Sequence, residues 1–359
     1  MEKIPVLDKE FQLVIPTHGR SDHQTTLRKL PQSVKDRTLV ITSLQSEVKE
    51  IKKNYGHKAV FSLESFGALD THGKQIHTKR QWIIENVRSK FIMQLDDDMT
   101  FFRRCLPKYR IMTKQVGRWK LTEEGKARGL KLLYTSSATD IEKTINLMHK
   151  QMSKGFVHGG LGSRMGNDME EDEVDLTGGR TMHAIVHDRK FLLKNDIRFD
   201  EIDFREDFNV TLHLLRRGLP NARLFCYAVS PEAFDAKGGC STYRTFDASN
   251  DAALRLALLH PGFVIPRFTE YSYSGSRVEV TIRWMEAVNK GPGLGNVVKV
   301  KPVKCNVGLH TILPYESDTE LFSFFDGEKW STPSFSPKDN ATTWFTKMPF
   351  RIKKKNKLF

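Results

Sequence analysis

Short apolar runs that alternate with amphipathic stretches dominate the first third of the chain. Each run is long enough for a buried strand, and the stretches between the runs repeat their apolar residues at helical spacing. Strands that alternate with helices form crossover connections, so the pattern predicts a Rossmann-like, mostly parallel sheet flanked by helices. The predicted strands are residues 11–16, 37–42, 58–62 and 91–95.

The fourth apolar run leads directly into three acids, Asp96, Asp97 and Asp98. Ligands of open α/β sheets bind beyond the carboxyl ends of the strands, so these carboxylates are expected where a ligand would bind. In an extended chain, Asp96 and Asp98 point to one side and Asp97 to the other. Two carboxylates on one side suit Mg²⁺ or Mn²⁺ that also holds substrate phosphates. The alternative is a solvated acidic turn after a strand.

Two basic clusters are predicted near the same edge of the sheet. The first strand ends in the loop Pro16-Thr17-His18-Gly19-Arg20, and the guanidinium of Arg20 matches the geometry of phosphate oxygens. Lys79 and Arg80 lie in a predicted helix over residues 73–88. With the acidic triplet, these clusters predict a site for a nucleoside diphosphate and a divalent cation.

A later pair of acids, Glu206 and Asp207, opens a predicted helix that stops at Gly218. Acids at a helix start are stabilised by the free backbone N–H groups, so a capping role is one explanation. A catalytic role is the other, and Asp207 is the better candidate for a base.

The rest of the chain is expected to complete one large domain and a small appendage. Residues 154–160 predict a strand that runs into a glycine turn, and residues 278–288 predict the last helix of the core. Residues 290–295 are typical of a linker. We therefore expect a domain over residues 1–289 and a small β-rich region over residues 290–359 that ends in a basic tail.

Composition narrows the class of protein. No stretch approaches the roughly 20 apolar residues of a membrane span, and the charged start Met1–Pro5 is unlike a signal peptide. The four cysteines have neither zinc-binding nor redox spacing, so a cytoplasmic protein is expected. No G-x-G-x-x-G follows the first strand and no Walker A motif is present, which disfavours dinucleotide-dependent and P-loop enzymes.

A net charge of +14 predicts a polyanionic partner. Basic residues concentrate in residues 103–131, where Tyr109 and Trp119 are interleaved, and in the tail 351–357. This pattern is typical of a surface that contacts nucleic-acid phosphates and stacks bases, although a solvated lysine-rich surface has a similar composition.

The order of these motifs resembles that of GT-A fold nucleotide-sugar glycosyltransferases. The resemblance covers roughly residues 11–230: Asp96-Asp97-Asp98 matches the DxD motif of that family, and Glu206-Asp207 matches its later Glu-Asp motif. Residues 162–167 and 238–244 are more narrowly similar to the phage-encoded, TET-associated DNA glycosyltransferases, which add sugars to hydroxymethylated pyrimidines.

The resemblance implies roles for individual residues. Asp98 would bind Mn²⁺ or Mg²⁺ directly, and Asp96 would contact the cation through water or contact the ribose of the donor. Asp207, with Glu206 beside it, would be the general base for the attacking hydroxyl. A further metal ligand would be His260 or His310. The residues expected around the donor nucleotide are Pro16, Thr17, His18, Arg20, Lys79, Arg80, Asp96 and Asp97.

The implied donor is a UDP-sugar, and the implied acceptor is the 5-hydroxymethyl group of a pyrimidine, such as 5-hydroxymethylcytosine, in bacteriophage DNA in the host cytoplasm. Three alternatives stay open at this point. The acceptor could be a glycan or a protein. Asp96-x-Asp98 could be the motif of a haloacid-dehalogenase-like phosphatase, although that motif usually follows the first strand. The chain could also be a nucleic-acid-binding protein without enzymatic activity.

Overall fold

The computed structural model describes residues 4–68, 75–113, 118–164, 174–176, 178–231, 243–271 and 275–290, together with four short strands between 303 and 331. The chain divides into two compact units. Unit 1 comprises Met1–Asp200 and Leu219–Tyr243, and unit 2 comprises Glu201–Gly218 and Arg244–Phe359. The predicted division at residue 289 stays a prediction, because residues 291–302 lie outside the described part of the chain.

Unit 1 is an α/β structure. Its strands are β1 (Phe11–Pro16), β2 (Thr38–Thr42), β3 (Val60–Ser62), β4 (Phe91–Leu95), β5 (Met99–Arg104), β6 (Arg110–Thr113), β7 (Arg118–Leu121), β8 (Leu133–Thr135), β9 (His158–Ser163), β10 (Val174–Asp175), β11 (Ala184–Asp188) and β12 (Ala222–Pro231). Its helices are α1 (Thr25–Lys29), α2 (Gln32–Lys35), α3 (Gln45–Tyr55), α4 (Ile76–Asn86), α5 (Glu123–Ala127), α6 (Ala138–Ser153) and α7 (Arg189–Lys194).

One large sheet forms the centre of unit 1, with strand order β3-β2-β1-β4-β11-β9-β12-β5-β8 and β10 paired to β12. The first four strands of this order are parallel, as the sequence predicts, and β9 and β12 are parallel to each other. β11 and β5 run antiparallel to their neighbours. The carboxyl ends of β1, β2, β4, β9 and β12 therefore share one edge with the amino ends of β11 and β5.

Helices cover both faces of this sheet. On one face, α1, α3 and α6 contribute Leu27, Ile51 and Ile145 to a core that also contains Leu13 and Met93 of the strands. The opposite face is covered by α4 and α7, which contact β1, β11 and each other. This layering confirms the predicted fold class, and it follows from parallel strands that must bury apolar side chains on both faces.

The glycine-rich segment after α6 is a strand and not the predicted turn. Gly159, Gly160 and Gly162 lie inside β9, between β11 and β12. A Cβ atom on Gly159 would lie 2.5 Å from the carbonyl oxygen of Ala222, and one on Gly160 would lie 2.8 Å from that of Ala184. The glycines are needed because the neighbouring backbones approach closely, which a turn-based interpretation misses.

Unit 2 is built from α8 (Glu206–Leu215), α9 (Phe246–Leu259), a hairpin of β13 (Val264–Tyr271) and β14 (Gly275–Ile282), and α10 (Trp284–Lys290). Its core includes Leu212, Leu256, Phe263 and Ala287. An antiparallel sheet follows, with strands β15 (Val303–Lys304), β16 (Thr311–Pro314), β17 (Phe322–Phe325) and β18 (Trp330–Ser331). The β-rich region expected over residues 290–359 stays a prediction, because most of these residues lie outside the described part of the chain.

The helix predicted over residues 278–288 is wrong in its first half. Val278, Val280 and Ile282 alternate with polar residues and pair with β13, so this half is a strand, and the helix starts only at Trp284. Within the described ranges, no helix is long and apolar enough to span a membrane.

Candidate functional site

The acidic triplet forms a turn between β4 and β5, and Thr26 of α1 holds this turn in place. The hydroxyl of Thr26 donates to the carbonyl oxygen of Asp96 (2.5 Å) and accepts from the backbone N–H of Met99 (2.8 Å). The backbone N–H of Thr26 donates to the carbonyl oxygen of Asp97 (2.9 Å). A single threonine therefore satisfies three backbone groups of this turn: the carbonyl oxygens of Asp96 and Asp97 and the N–H of Met99.

Because the chain turns here, the three carboxylates do not alternate as an extended strand would require, and that expectation is wrong. Nη1 of Arg20 donates to Oδ1 of Asp97 and to Oδ2 of Asp98, each at 2.7 Å. Thr17 donates to the other oxygen of Asp97 at 2.5 Å. Asp97 and Asp98 thus share the guanidinium of Arg20 as a partner, and Asp97 is only 5% exposed.

Asp96 has different partners. Nη2 of Arg80 donates to Oδ1 of Asp96 (2.6 Å), and Nδ1 of His183 lies 2.8 Å from Oδ2. The backbone N–H of Asp96 donates to the carbonyl oxygen of His183 (2.8 Å). Asp96 is therefore oriented by α4 on one side and by the residue preceding β11 on the other.

These contacts separate the acidities of the three carboxyl groups. Burial alone would raise the pKa of Asp96, but Arg80 and His183 hold it below its ordinary value. Burial raises the pKa of Asp97 to about 6, although Arg20 opposes the shift. Burial and the neighbouring Asp96 raise the pKa of Asp98. Asp96 is thus the most firmly ionised member of the triplet.

The loop after β1 is fixed by two further charged residues. Nζ of the buried Lys79 donates to the carbonyl oxygen of Thr17. The carboxylate of Glu47 accepts from the backbone N–H groups of Gly19 (2.5 Å) and Leu44 (2.9 Å). Burial would raise the pKa of Glu47, but the nearby His18 ring, 3.8 Å away, and the hydrogen bonds from these N–H groups lower it to about 2. The phosphate-binding cluster expected from the sequence is therefore a rigid, packed loop.

The predicted donor-site residues are thus brought together at one edge of the sheet of unit 1. Pro16 ends β1 opposite Ile41 of β2, and the loop residues, the two basic residues of α4 and the acidic triplet follow the same edge. Sequence reasoning missed Thr26, Glu47 and His183. The sequence contains a local signal for His183, because a polar residue directly precedes an apolar strand. That this strand pairs with β4, which ends at the acidic triplet, is visible only in the fold.

The oxygen donors of the triplet fit a hard divalent cation. Among the described residues, no group of three or more His, Cys, Asp and Glu side chains is arranged to hold a metal. A cation held by Asp96 and Asp98 would therefore complete its coordination with water and ligand oxygens, as Mg²⁺ commonly does at phosphate-binding sites.

In unit 2, Glu206 and Asp207 occupy the first turn of α8. The residue at the N-cap is Arg205, so neither acid is the cap itself, although both lie where the helix dipole favours negative charge. Glu206 is buried and Asp207 is half-buried.

Arginines surround this turn. The guanidinium of Arg244 lies 5.2 Å from the ring centroid of Phe204, and Arg277 pairs with Glu279 at 2.8 Å. Burial lowers the pKa of Arg205, Glu279 and Asp207 raise it, and Arg277 and Arg244 lower it further. These charges act on one another because they lie close together.

The predicted metal ligand His260 is fully buried in unit 2. Its Nε2 lies 2.8 Å from Oδ1 of Asn209, and its Nδ1 lies 3.2 Å from Nη1 of Arg216. Burial, with the positive charge of nearby side chains, lowers its pKa well below the ordinary value. The metal role of His260 stays a prediction, and His310 lies outside the described residues.

The basic stretch of residues 103–131 has two parts. Arg104 and Arg110 are buried, and Arg104 donates to the carbonyl oxygen of Ser163 (2.7 Å). The side chains of Lys108, Lys120 and Lys131 are exposed. Tyr109, expected to stack bases, is only 8% exposed and lies between Lys108 and Arg128, so it packs inside the protein. The side chain of Trp119 lies outside the described residues.

The sheet and the order of its charged motifs place the chain in the class of GT-A fold glycosyltransferases. A family model described as TET-Associated Glycosyltransferase matches residues 11–239. The chain therefore belongs to the TET-associated glycosyltransferase family. This membership argues against the phosphatase and the non-enzymatic binding protein.

No curated protein sequence matches the chain. Solved structures that are similar to it include residues 1–349 of TarS from S. aureus, with 13% identity, a TM-score of 0.34, and coverage of 70% of this chain and 65% of that one. The chain thus spans less than two thirds of the TarS structure.

Two further structures cover more of their own length. Glucosyl-3-phosphoglycerate synthase from Mycobacterium tuberculosis, in complex with Mn²⁺, UDP and glucosyl-3-phosphoglycerate, has 8% identity and a TM-score of 0.39, and 76% of this chain and 88% of that one are covered. A mycobacterial protein has 10% identity and a TM-score of 0.42, with 79% and 89% covered. The identification rests on the family match.

Proposed function

We propose that this enzyme transfers a sugar from a UDP-sugar to the 5-hydroxymethyl group of a pyrimidine in phage DNA, with Mn²⁺ or Mg²⁺ as cofactor. One observation carries the donor half of this proposal. Three carboxylates at the carboxyl edge of the sheet are held in defined orientations by buried Arg20 and Arg80. An acidic turn that served only solubility would have no need of two buried guanidinium partners.

Basic groups at this edge match the chemistry of a nucleoside diphosphate. Arg20 and Arg80 pair with the carboxylates of the acidic triplet, and Lys79 is buried behind the loop after β1. A bound diphosphate would offer negative charge to the two arginines, and its divalent cation would offer positive charge to the carboxylates. We therefore assign the loop residues Pro16, Thr17 and His18 to the donor nucleotide as well.

Asp98 and Asp96 would hold the divalent cation, Asp98 directly and Asp96 through water or the donor ribose. When bound, the cation neutralises the charge that develops on the leaving diphosphate. The raised pKa of Asp98 means that a cation and the proton compete for the same carboxylate, whereas Arg80 and His183 keep Asp96 ionised.

The acceptor half of the proposal assigns Asp207 as the general base that removes the proton of the attacking hydroxyl, with Glu206 beside it. The arginines around the first turn of α8 fit an acceptor that carries phosphates. The net charge of +14 and the exposed lysines of residues 103–131 also support a polyanionic acceptor. Access to a base in duplex DNA requires base flipping or a single strand, which costs a few kcal/mol, and backbone contacts can offset this cost.

The test is a transfer assay read by mass spectrometry. The purified enzyme and Mn²⁺ or Mg²⁺ are incubated with a panel of nucleotide sugars and DNA that contains 5-hydroxymethylcytosine or 5-hydroxymethyluracil, and the DNA is then digested to nucleosides. We expect a hexose or pentose mass shift on the modified nucleoside with a UDP-sugar, and none with unmodified DNA or in EDTA.

Matched variants separate the two halves of the proposal. Asp98→Asn should reduce transfer at least 100-fold and weaken Mn²⁺-dependent UDP binding, whereas Asp207→Asn should reduce transfer and leave UDP binding intact. If UDP binds with Mn²⁺ but no hydroxymethylated DNA is modified, the acceptor is wrong, and glycans and proteins become the acceptors to test.

A further inference from the structure

His183 adopts a backbone conformation that histidine seldom takes. Within the described ranges, it is one of three non-glycine residues with positive φ, at 63°, together with Asp196 and Arg205. The left-handed conformation costs roughly 1–2 kcal/mol for a residue with a Cβ atom. Such a cost persists where the surrounding structure enforces it, and that occurs most often at functional sites.

This conformation lets one residue hold Asp96 by two groups. The carbonyl oxygen of His183 accepts from the backbone N–H of Asp96 (2.8 Å), and Nδ1 of its ring lies 2.8 Å from Oδ2 of the same aspartate. Immediately afterwards the chain enters β11, where Ala184 pairs with Leu95 of β4. In an ordinary strand conformation, successive side chains would point to opposite faces of the sheet and would not turn back along its edge.

The other oxygen of Asp96 is bound by Arg80, so both carboxylate oxygens have a fixed partner. Because an ionised carboxylate only accepts hydrogen bonds, Nδ1 of His183 carries the proton in this contact. The side chain of His183 remains 19% exposed and that of Asp96 23% exposed. The pair is therefore rigid and also reachable by a ligand at the edge of the sheet.

We propose that His183 is a positioning residue of the donor site: it fixes the rotamer of Asp96 so that the carboxylate faces the cation-bound water or the ribose of the nucleotide. This inference rests on the proposed function, in which Asp96 serves the donor. Outer partners that orient a metal-binding group commonly contribute 10–100-fold to metal affinity. Loss of the His183 ring should therefore weaken donor binding by about that factor.

Three substitutions separate this role from relief of backbone strain. His183→Gly keeps the left-handed backbone at no cost and removes the ring. His183→Asn also tolerates that backbone, and its Nδ2 is as many bonds from the main chain as Nδ1 of histidine, so it can donate to Asp96. Asp196→Gly is the control, because it relieves a left-handed residue (φ 48°) that lies outside the predicted donor site.

The measurements are Mn²⁺ binding in the presence of UDP, followed by electron paramagnetic resonance, UDP binding by calorimetry, and thermal unfolding. We expect the Gly variant to raise the Kd about 10–100-fold, the Asn variant to stay within about 5-fold of wild type, and the control to be unchanged. With a UDP-sugar that is turned over, KM for the donor should rise more than kcat falls.

A double-mutant cycle tests whether His183 acts through Asp96, even if the Gly variant is less stable. In the Asp96→Asn background, His183→Gly should weaken binding no further, whereas a purely structural role would add its full effect. A Gly variant that binds Mn²⁺ and UDP as the wild type does, or an Asn variant as weak as the Gly variant, overturns the inference. If the wild type itself binds no Mn²⁺ and UDP, the proposed donor fails, and this inference fails with it.

Discussion

At the scale of single residues, Asp97 shows how burial and charge oppose each other in this site. Its carboxyl group accepts from Arg20 and Thr17, which favours the ionised form. Burial penalises the same form more strongly and raises its pKa to about 6. Asp97 therefore binds a proton more tightly in the folded protein than in the unfolded chain, whose ordinary value is 3.8.

The sign of the resulting pH dependence follows from linkage. A raised pKa contributes stability that is fully present below about pH 3.8 and is lost as pH rises towards 6, on the order of 3 kcal/mol in total. Asp97→Asn, which cannot ionise, should lack this decline. We expect the free energy of unfolding of the wild type to fall relative to that of the variant between pH 4 and pH 6.5, in guanidinium titrations.

The control for this experiment is Glu10→Gln, which removes an exposed carboxylate and should not reproduce the effect expected of Asp97→Asn. A wild type and an Asp97→Asn variant that differ by a constant amount would mean that Asp97 titrates as an ordinary aspartate.

At the scale of elements, the glycines of β9 determine how closely the neighbouring strands β11 and β12 can approach it. It lies between β11 and β12, and its glycines leave no room for a Cβ atom against the neighbouring carbonyl oxygens. Met148 of α6 packs over Gly159, since its sulfur would lie 3.2 Å from a Cβ atom there. The position of β11 depends on the absence of side chains at these glycines of β9. The position of His183 next to the acidic turn depends on it as well, because His183 directly precedes β11.

We expect Gly159→Ala to destabilise unit 1 by about 3 kcal/mol or more, because the added Cβ atom meets backbone atoms that cannot move alone. The control is Gly67→Ala. Gly67 has φ 67° with open space around it, so this change should cost only the left-handed strain of roughly 1–2 kcal/mol. Both values come from denaturant unfolding followed by circular dichroism. Equal costs for the two variants would mean that β9 can shift to accept a side chain.

At the scale of the whole molecule, the charge of +14 is the dominant property. Part of it is not available to a partner, because Arg20, Lys79, Arg80, Arg104 and Arg110 are buried. The charge that remains exposed includes the lysines of residues 103–131 and of α3. A polyanion bound through such groups releases counterions, so its affinity falls steeply with salt.

We therefore expect duplex DNA to bind with an affinity that falls as salt increases, and the slope of log K against log salt should drop by about 0.9 for each phosphate contact removed. Neutralising Lys108, Lys120 and Lys131 to Gln should lower the slope by about 2–3. Neutralising Lys49, Lys52 and Lys53 of α3 removes the same charge from another surface and should change it less. Fluorescence anisotropy at several salt concentrations provides the slopes, and equal slopes for the two triple variants would show that residues 103–131 form no specific DNA surface.

The sequence by itself determined the class of fold and predicted which charged residues meet at one edge of the sheet. Apolar runs specify buried strands, and the carboxyl ends of parallel strands must share an edge, so Arg20, Arg80 and Asp96 could be expected together from the sequence pattern. The same local logic failed at β9 and β14. The glycines of β9 were interpreted as a turn. Their actual role, which is to let neighbouring backbones approach closely, depends on strands that are distant in sequence.

Only the tertiary structure decided how the site is held. The turn at Asp97 ended the alternation that an extended strand would impose, and it gave Asp97 and Asp98 a common partner in Arg20. Thr26 and His183 reach the acidic triplet from segments 70 and 87 residues away in sequence. Such contacts depend on strand order and on a left-handed residue at the start of β11, and neither is encoded in the pattern of any single segment.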